Sequence, residues 1–157
     1  MQREVQLLIF ELDGRWWGLH LAAVERVIRA VEITPLPMAP AIVRGIIDVQ
    51  GQIIPVLNVR GRFSLPDREV GLDDQMIIAT TGRRRVAILV DGVREIVCRA
   101  GEEIVAAEKI LRPLDGIEGV IQLGDGLALI HDLDRFLSLD EERSLENALT
   151  MEPAHAG

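Results

Sequence analysis

Apolar and polar positions alternate over short runs through most of the chain, and glycine-containing turns separate the runs. Leu7 to Phe10 leads to Asp13-Gly14 and then to Trp17-Gly18-Leu19. Val43 to Val49 leads to Gln50-Gly51 and then Ile53 to Val59, and Ile117 to Leu123 leads to Gly124-Asp125-Gly126 and then Leu127 to Leu133. Short runs rich in β-branched residues and bounded by such turns are hairpin signals. Helical periodicity is sparse. Asp140 to Leu149 places acidic residues first and apolar ones later, which predicts a short helix, and one helical turn is expected around Ile104 to Leu111. Pro35, Pro37 and Pro40 predict an extended, rigid connector, and the polar stretch Leu65 to Asp74 is expected to link two halves. Met151 to Gly157 is expected to be disordered.

An internal repeat organises these hairpins. Leu7–Ile28 aligns without a gap with Met76–Val97: an apolar strand, a turn, a second strand, then an apolar return led by Val24 or Val93. Val43–Val59 aligns in the same way with Ile117–Leu133. Two similar halves follow, each expected to form a small barrel of about five strands, because closing or nearly closing a sheet removes aggregation-prone edges.

Composition agrees with an all-β fold. The 157 residues are 48% hydrophobic but only 3% aromatic, with no Tyr, so Val, Ile, Leu and Ala must build the core. The 25 acidic against 17 basic residues give a net charge of −8, which opposes binding to a phosphate backbone or an anionic membrane surface. Cys98 is the single cysteine, so no intrachain disulfide or thiolate cluster is expected, a reducing compartment fits, and the thiol is expected to be packed. The N-terminal residues lack a signal-peptide pattern, and no apolar run approaches the roughly 20 residues that cross a bilayer. A cytoplasmic location is expected.

Candidate chemistry is thin. His20, His131 and His155 are the only histidines; His131 and Asp132 should face opposite sides of a strand, so structural or exposed roles are expected rather than a metal site or base. Nucleophile-elbow and phosphate-loop motifs are absent, Cys98 has no adjacent base, and Gly124-Asp125-Gly126 reads as a turn. No catalytic residue, metal or cofactor is assigned. Arg83, Arg84 and Arg85 are expected at a solvated hairpin tip, with docking to acidic partner residues as the second reading. Trp16 and Trp17 must point to opposite faces and cannot both enter the same core, and Trp16 is a candidate interface residue, with packing beneath the neighbouring barrel or tail as the other reading.

Val43-Arg44-Gly45-Ile46-Ile47-Asp48-Val49 and Gly51-Gln52-Ile53-Ile54-Pro55-Val56-Leu57-Asn58-Val59-Arg60 resemble the central signature of the CheW-like domain family. The flanking pieces keep the same order: Trp17-Gly18-Leu19, the Pro37–Pro40 connector, Val86–Val97, Ile117-Glu118-Gly119 and Leu129–Leu137, so the resemblance covers about residues 5–140. It implies two SH3-like five-stranded β-barrel subdomains on a shared core, with the first strand packing on the C-terminal half. One domain over 1–140 is expected, with one subdomain at about 15–81, the other at 1–14 plus 82–140, and a short helix and disordered tail at 141–157. The implied function is a non-enzymatic chemotaxis adaptor that couples chemoreceptor tips to the regulatory domain of the histidine kinase CheA, in the cytoplasm at receptor arrays of the inner membrane, and monomeric in isolation. The alternative is a β-barrel binding module or enzyme with a pocket between the barrels.

By positional match, Val24, Arg26, Val27, Val49, Gln50 and Ile54 are the receptor-facing candidates, while Gly45, Gly51 and Pro55 shape the signature: the glycines permit tight turns, and the proline suits an edge or bulge. Two positions depart from the family pattern. Arg26 stands where a Glu is usual and Gln50 where an Arg is usual, so an expected ion pair becomes an Arg–Gln contact, consistent with a divergent receptor set or a non-flagellar system, or equally with neutral drift at a tolerant surface.

Overall fold

The computed structural model describes residues 3–106 and 116–151. Eleven strands lie among them: β1 (Glu4–Leu12), β2 (Arg15–His20), β3 (Val24–Arg29), β4 (Val43–Val49), β5 (Gln52–Leu57), β6 (Gln75–Thr80), β7 (Arg85–Val90), β8 (Gly92–Ala100), β9 (Val105–Ala106), β10 (Ile117–Leu123) and β11 (Gly126–His131). Two α-helices lie among the described residues, α1 (Val59–Arg62) and α2 (Leu139–Met151). The helix expected at 140–149 is α2. Ser138 and Glu141 cap it reciprocally: the Glu141 amide donates to Ser138 Oγ at 3.1 Å and the Ser138 amide to Glu141 Oε1 at 2.9 Å. Of the helical turn expected at 104–111, Val105 and Ala106 instead form β9, and 107–111 lie outside the described residues, as do 152–157 of the expected tail.

The strands form a six-stranded sheet in the order β8-β1-β2-β11-β10-β9 and a five-stranded sheet in the order β3-β6-β7-β5-β4. The orders correspond through the sequence repeat, with β3 equivalent to β8, β6 to β1, β7 to β2, β5 to β11 and β4 to β10. Each sheet therefore takes strands from both halves, and β1 indeed pairs with β8 of the C-terminal half. The expected subdomain boundaries shift accordingly. The two-residue turn Asp13–Gly14, with φ of 54° and 75°, keeps β2 antiparallel to β1. The Thr81–Arg84 turn keeps β7 on β6. Arg15–His20 thus belongs with the six-stranded sheet rather than with 15–81, and Arg85–Val90 belongs with the five-stranded sheet rather than with 82–140.

Three apolar clusters account for stability. Ile47, Ile54, Val56, Met76, Ile78 and Ala87 fill one face of the five-stranded sheet. Leu7, Ile9, Val97, Ile121, Ala128 and Ile130 fill the equivalent face of the other, and residues from β8 and β10 meet there only because the sheet curls. The largest cluster lies between the sheets, where Leu8, Phe10, Trp17 and Leu19 meet Ile46, Leu57, Ile77, Val86 and Ile88. Consecutive residues of β1 thus serve two cores, as period-two geometry requires.

Gly45 and Gly119, equivalent in the repeat, hold each curl in place. Thr34 exchanges backbone hydrogen bonds with Ile46 at 2.8 and 2.9 Å, and β9 pairs with Gly119 and Val120 in the same way on the other sheet. A Cβ on Gly45 would lie 2.3 Å from the Thr34 carbonyl oxygen, and one on Gly119 2.6 Å from that of Val105. Only glycine lets the passing segment come this close. Gly45→Ala and Gly119→Ala are each expected to lower unfolding free energy by about 1–3 kcal/mol in urea titrations, more than Gly92→Ala, whose Cβ would meet nothing closer than Gln75 Oε1 at 4.0 Å. Equal effects at all three would contradict this explanation of the two glycines.

Candidate functional site

The six receptor-facing candidates come from one end of the five-stranded sheet. β3 carries Val24, Arg26 and Val27, while the β4–β5 hairpin carries Val49, Gln50 and Ile54. Although β3 and β4 are opposite edges in strand order, the curl brings them together: Arg26 Nη2 lies 3.5 Å from Gln50 Oε1, a long contact between exposed side chains. Gln50 and Gly51 both have positive φ, 52° and 85°, as a two-residue hairpin turn demands, and Asp48 Oδ1 accepts the Gly51 amide at 2.8 Å. Beside them Arg85 Nε meets Glu25 Oε2 at 2.9 Å and its guanidinium also contacts Gln52, joining β3, β5 and β7 in one polar rim.

The other candidates divide by depth. Val24 and Val27 are half-buried against the between-sheet cluster, and Val49 is half-buried over the core of its own sheet. Ile54 is 2% exposed and sits inside that core, so it presents no surface; its neighbour Ile53, 44% exposed, does. The reason is period-two alternation: Ile54 and Val56 face the core of their own sheet, and Ile53, in the opposite phase, faces outward. Pro55 is not on an edge strand, since β5 has β4 on one side and β7 on the other. The parallel pairing of β5 with β7 begins at Val56, so the missing N–H of Pro55 falls just before that ladder starts.

Through the repeat, Arg26 corresponds to Glu95 and Gln50 to Gly124. Both line a cleft of about 760 Å³ at the matching end of the six-stranded sheet, together with Trp16, Val93, Arg94 and Leu123. Trp16 is half-buried, and the Arg94 guanidinium lies 4.5 Å from its ring centroid, a cation–π contact. Trp17 faces the opposite side, 3% exposed, stacked on Phe63 at 5.0 Å with its indole N–H donating to the Leu12 carbonyl at 3.4 Å.

Sequence reasoning missed a charged cluster behind this end. Arg60, 6% exposed, donates to both carboxylate oxygens of Asp91 at 2.8 Å, to Asp13 Oδ1 at 3.4 Å and to the Pro66 carbonyl at 2.8 Å. Arg68 bridges Asp91 at 2.5 Å and Asp74 at 2.7 Å. Burial opposes ionisation of Asp91, but hydrogen bonds from Arg60, the Asp13 amide and Arg68 outweigh it and hold the carboxyl below its usual range. The network ties the β1–β2 turn, the β7–β8 junction, α1 and the 65–74 connector to one guanidinium. An arginine ending the signature, together with two Asp-Gly steps at hairpin ends, was the available signal. The arginine run also differs from a bare solvated tip, since Arg84 pairs with Glu142 and Glu146 of α2, and Arg85 with Glu25. Cys98 is exposed rather than packed.

His20 Nε2 contacts Glu118 at 2.9 Å in a half-buried pair. His131 is 1% exposed, surrounded by Phe10, Trp17, Phe63 and Phe136, with neither ring nitrogen partnered. The space around His131 is thus filled by aromatic side chains. Among the described residues no group of three metal-ligating side chains occurs, and no helix is long and apolar enough to cross a membrane.

Two sheets of matching strand order in one chain, each curled around a core of its own and ending in a polar rim, define the fold class. The chain belongs to the CheW-like domain family, whose pattern matches residues 6–141. It is 23% identical to the chemotaxis protein CheW of Treponema pallidum over 150 residues, covering 92% of this chain and 88% of that protein. It is 33% identical to CheW of Thermotoga maritima over 91 residues, covering 58% of this chain and 60% of that protein. The crystal structure of the scaffolding protein TtCheW from Thermoanaerobacter tengcongensis superposes with a TM-score of 0.80 at 25% identity, covering 88% of this chain and 96% of that one. The protein is accordingly a chemotaxis scaffold of the CheW class and not an enzyme.

Burial pushes the His131 imidazole down from 6.5 to about 3. The unfolded chain takes up this proton below about pH 6.5 and the folded chain does not, so the stability associated with His131 is complete above that pH and declines toward pH 3, by at most about 1.4 kcal/mol per pH unit. His131→Leu removes two unpartnered polar atoms at similar volume. Chemical denaturation is expected to give equal or higher stability at pH 7 and a shallower decline between about pH 6 and 4. An unchanged acid slope would contradict this.

Proposed function

We propose that this protein couples chemoreceptor tips to the regulatory domain of the histidine kinase CheA, as a cytoplasmic monomer recruited to receptor arrays at the inner membrane. The observation that carries the reading is the meeting of Arg26 with Gln50, where β3 and the signature hairpin converge on an exposed rim. Receptor tips dock on this rim and on half-buried Val24, Val27 and Val49 beside it. The kinase domain docks on the six-stranded sheet, where the Trp16 cleft offers a half-buried aromatic of the kind enriched at binding hot spots. Neither contact forms or breaks a covalent bond. The adaptor acts because a receptor state with different contacts at one rim changes the free energy of the assembled complex.

Arg26 and Gln50 set which receptors fit. A rim with an arginine on β3 and a neutral amide on the hairpin differs in charge from a Glu–Arg rim, so the partner is a divergent receptor set or a system with a non-flagellar output. Binding measured separately to the native receptor tip and to the isolated kinase regulatory domain tests both surfaces. Arg26→Ala with Gln50→Ala is expected to weaken the receptor tip about five- to tenfold and leave the kinase domain within about twofold, with Trp16→Ala giving the reverse. Arg26→Glu with Gln50→Arg, but neither change alone, is expected to improve binding of a conventional receptor tip by about tenfold. If no variant alters either interaction, the assignment of both surfaces is wrong.

A further inference from the structure

Among the described residues, helix α2 is held by three apolar side chains and three ion pairs. Leu145 and Ala148 are buried at 0% and 1% exposure in the between-sheet core, with Leu149 partly buried beside them. The remaining hold is ionic. Arg62 Nη2 contacts Glu141 Oε1, Arg84 Nε meets Glu142 Oε1 at 2.5 Å, and Arg84 Nη2 meets Glu146 Oε2 at 2.6 Å. Both arginines belong to the framework rather than to the helix, one on α1 and the other at the tip of the β6–β7 hairpin.

The seat fits α2 imperfectly in three places. Arg62 Nε is buried without a hydrogen-bond partner. A cavity of about 270 Å³ remains at the start of α2, lined by Thr81, Leu133, Asp134, Leu137, Leu139 and Glu142 among others. Leu139, the first residue of the helix, is 65% exposed although apolar surface lies within that cavity. A 13-residue helix is short enough to be marginal without tertiary contacts. One of its three ion pairs, Arg84 with Glu146, reaches solvent, the Glu146 side chain being 61% exposed, and is therefore open to screening by salt.

We infer that α2 is a displaceable occupant of a helix-binding groove, and that the groove's other occupant is an amphipathic helix of a partner protein. The chemistry of that helix follows from the groove. Carboxylates at i, i+1 and i+5 would meet Arg62 and Arg84, apolar side chains at i+4 and i+7 would fill the places of Leu145 and Ala148, and a bulkier apolar residue two before i would enter the cavity that Leu139 leaves open. Release of α2 then exposes an apolar surface with Arg62 and Arg84 beside it, so an acidic amphipathic helix finds its complement at this groove although the chain as a whole carries −8. The inference stands independently of the receptor and kinase assignments.

Hydrogen exchange on the unaltered full chain, joined to titration with a fluorescein-labelled peptide of sequence Leu139–Met151, tests it. The α2 amides are expected to exchange at least about tenfold faster than those of β6 and β7, and about tenfold faster again between 0.05 and 0.5 M NaCl while β6 and β7 are unchanged. In the full chain, Glu142→Ala with Glu146→Ala weakens the resident helix and frees Arg84, so the peptide is expected to bind about tenfold more tightly than to wild type, and adding Arg84→Ala to abolish the gain. Exchange of α2 at the rate of β6 and β7 at both salt concentrations would overturn the proposal, as would equal peptide binding by wild type and the folded double variant. Because exchange is read on the unaltered chain, it decides the question even if the variant does not fold.

Discussion

Everything in this molecule depends on the apolar layer between the two sheets. Each sheet curls around a small core of its own, and each such core is only a handful of aliphatic side chains, too few to offset the chain entropy of a five- or six-stranded unit. The between-sheet cluster supplies the rest by burying Phe10, Trp17 and Leu19 of one sheet against Ile77, Val86 and Ile88 of the other. The strand exchange enforces this layer, because β1 and β2 sit with the C-terminal strands while β3 to β5 sit with β6 and β7. Neither sheet can form from one half of the repeat, so the two rims at their ends are held at a fixed separation. For a scaffold, that rigidity is what allows one contact to be registered at another.

The polar interactions elaborate this frame. Arg60 is buried yet fully engaged with Asp91, Asp13 and the Pro66 carbonyl, so the cost of burying a guanidinium is offset by charge-assisted hydrogen bonds. It fixes the connector between the halves to the turn that starts β2. His131 is the opposite case, a polar ring enclosed by aromatics with no partner, whose enclosure keeps it neutral at every pH at which the protein is folded well.

Much of the architecture was legible because strands reveal themselves by alternation. The gapless match of Leu7–Ile28 with Met76–Val97 gave the equivalence of the two sheets, and the adjacency of Trp16 and Trp17 placed them on opposite faces, as found. Sheet membership was less legible. Nothing local in Arg15–His20 or Arg85–Val90 says which sheet accepts them; that is decided by two tight turns and the parallel pairings of β2 with β11 and β7 with β5. The depth of Ile54 escaped because alternation separates Ile53 from Ile54 without saying which of two adjacent isoleucines faces the core. Arg26 and Gln50 were brought together as the family signature suggested, but Arg60 was hidden, because a buried arginine and a solvated one look alike in sequence.

The central claim is that two separate rims of one rigid body join two different partners. Co-sedimentation of the full chain with receptor-tip assemblies and CheA from the same genome, omitting each component in turn, tests it most directly. The account predicts that the kinase sediments with receptors only when this protein is present, and that the protein binds either partner alone. Kinase recruitment that is indifferent to its presence would contradict the account.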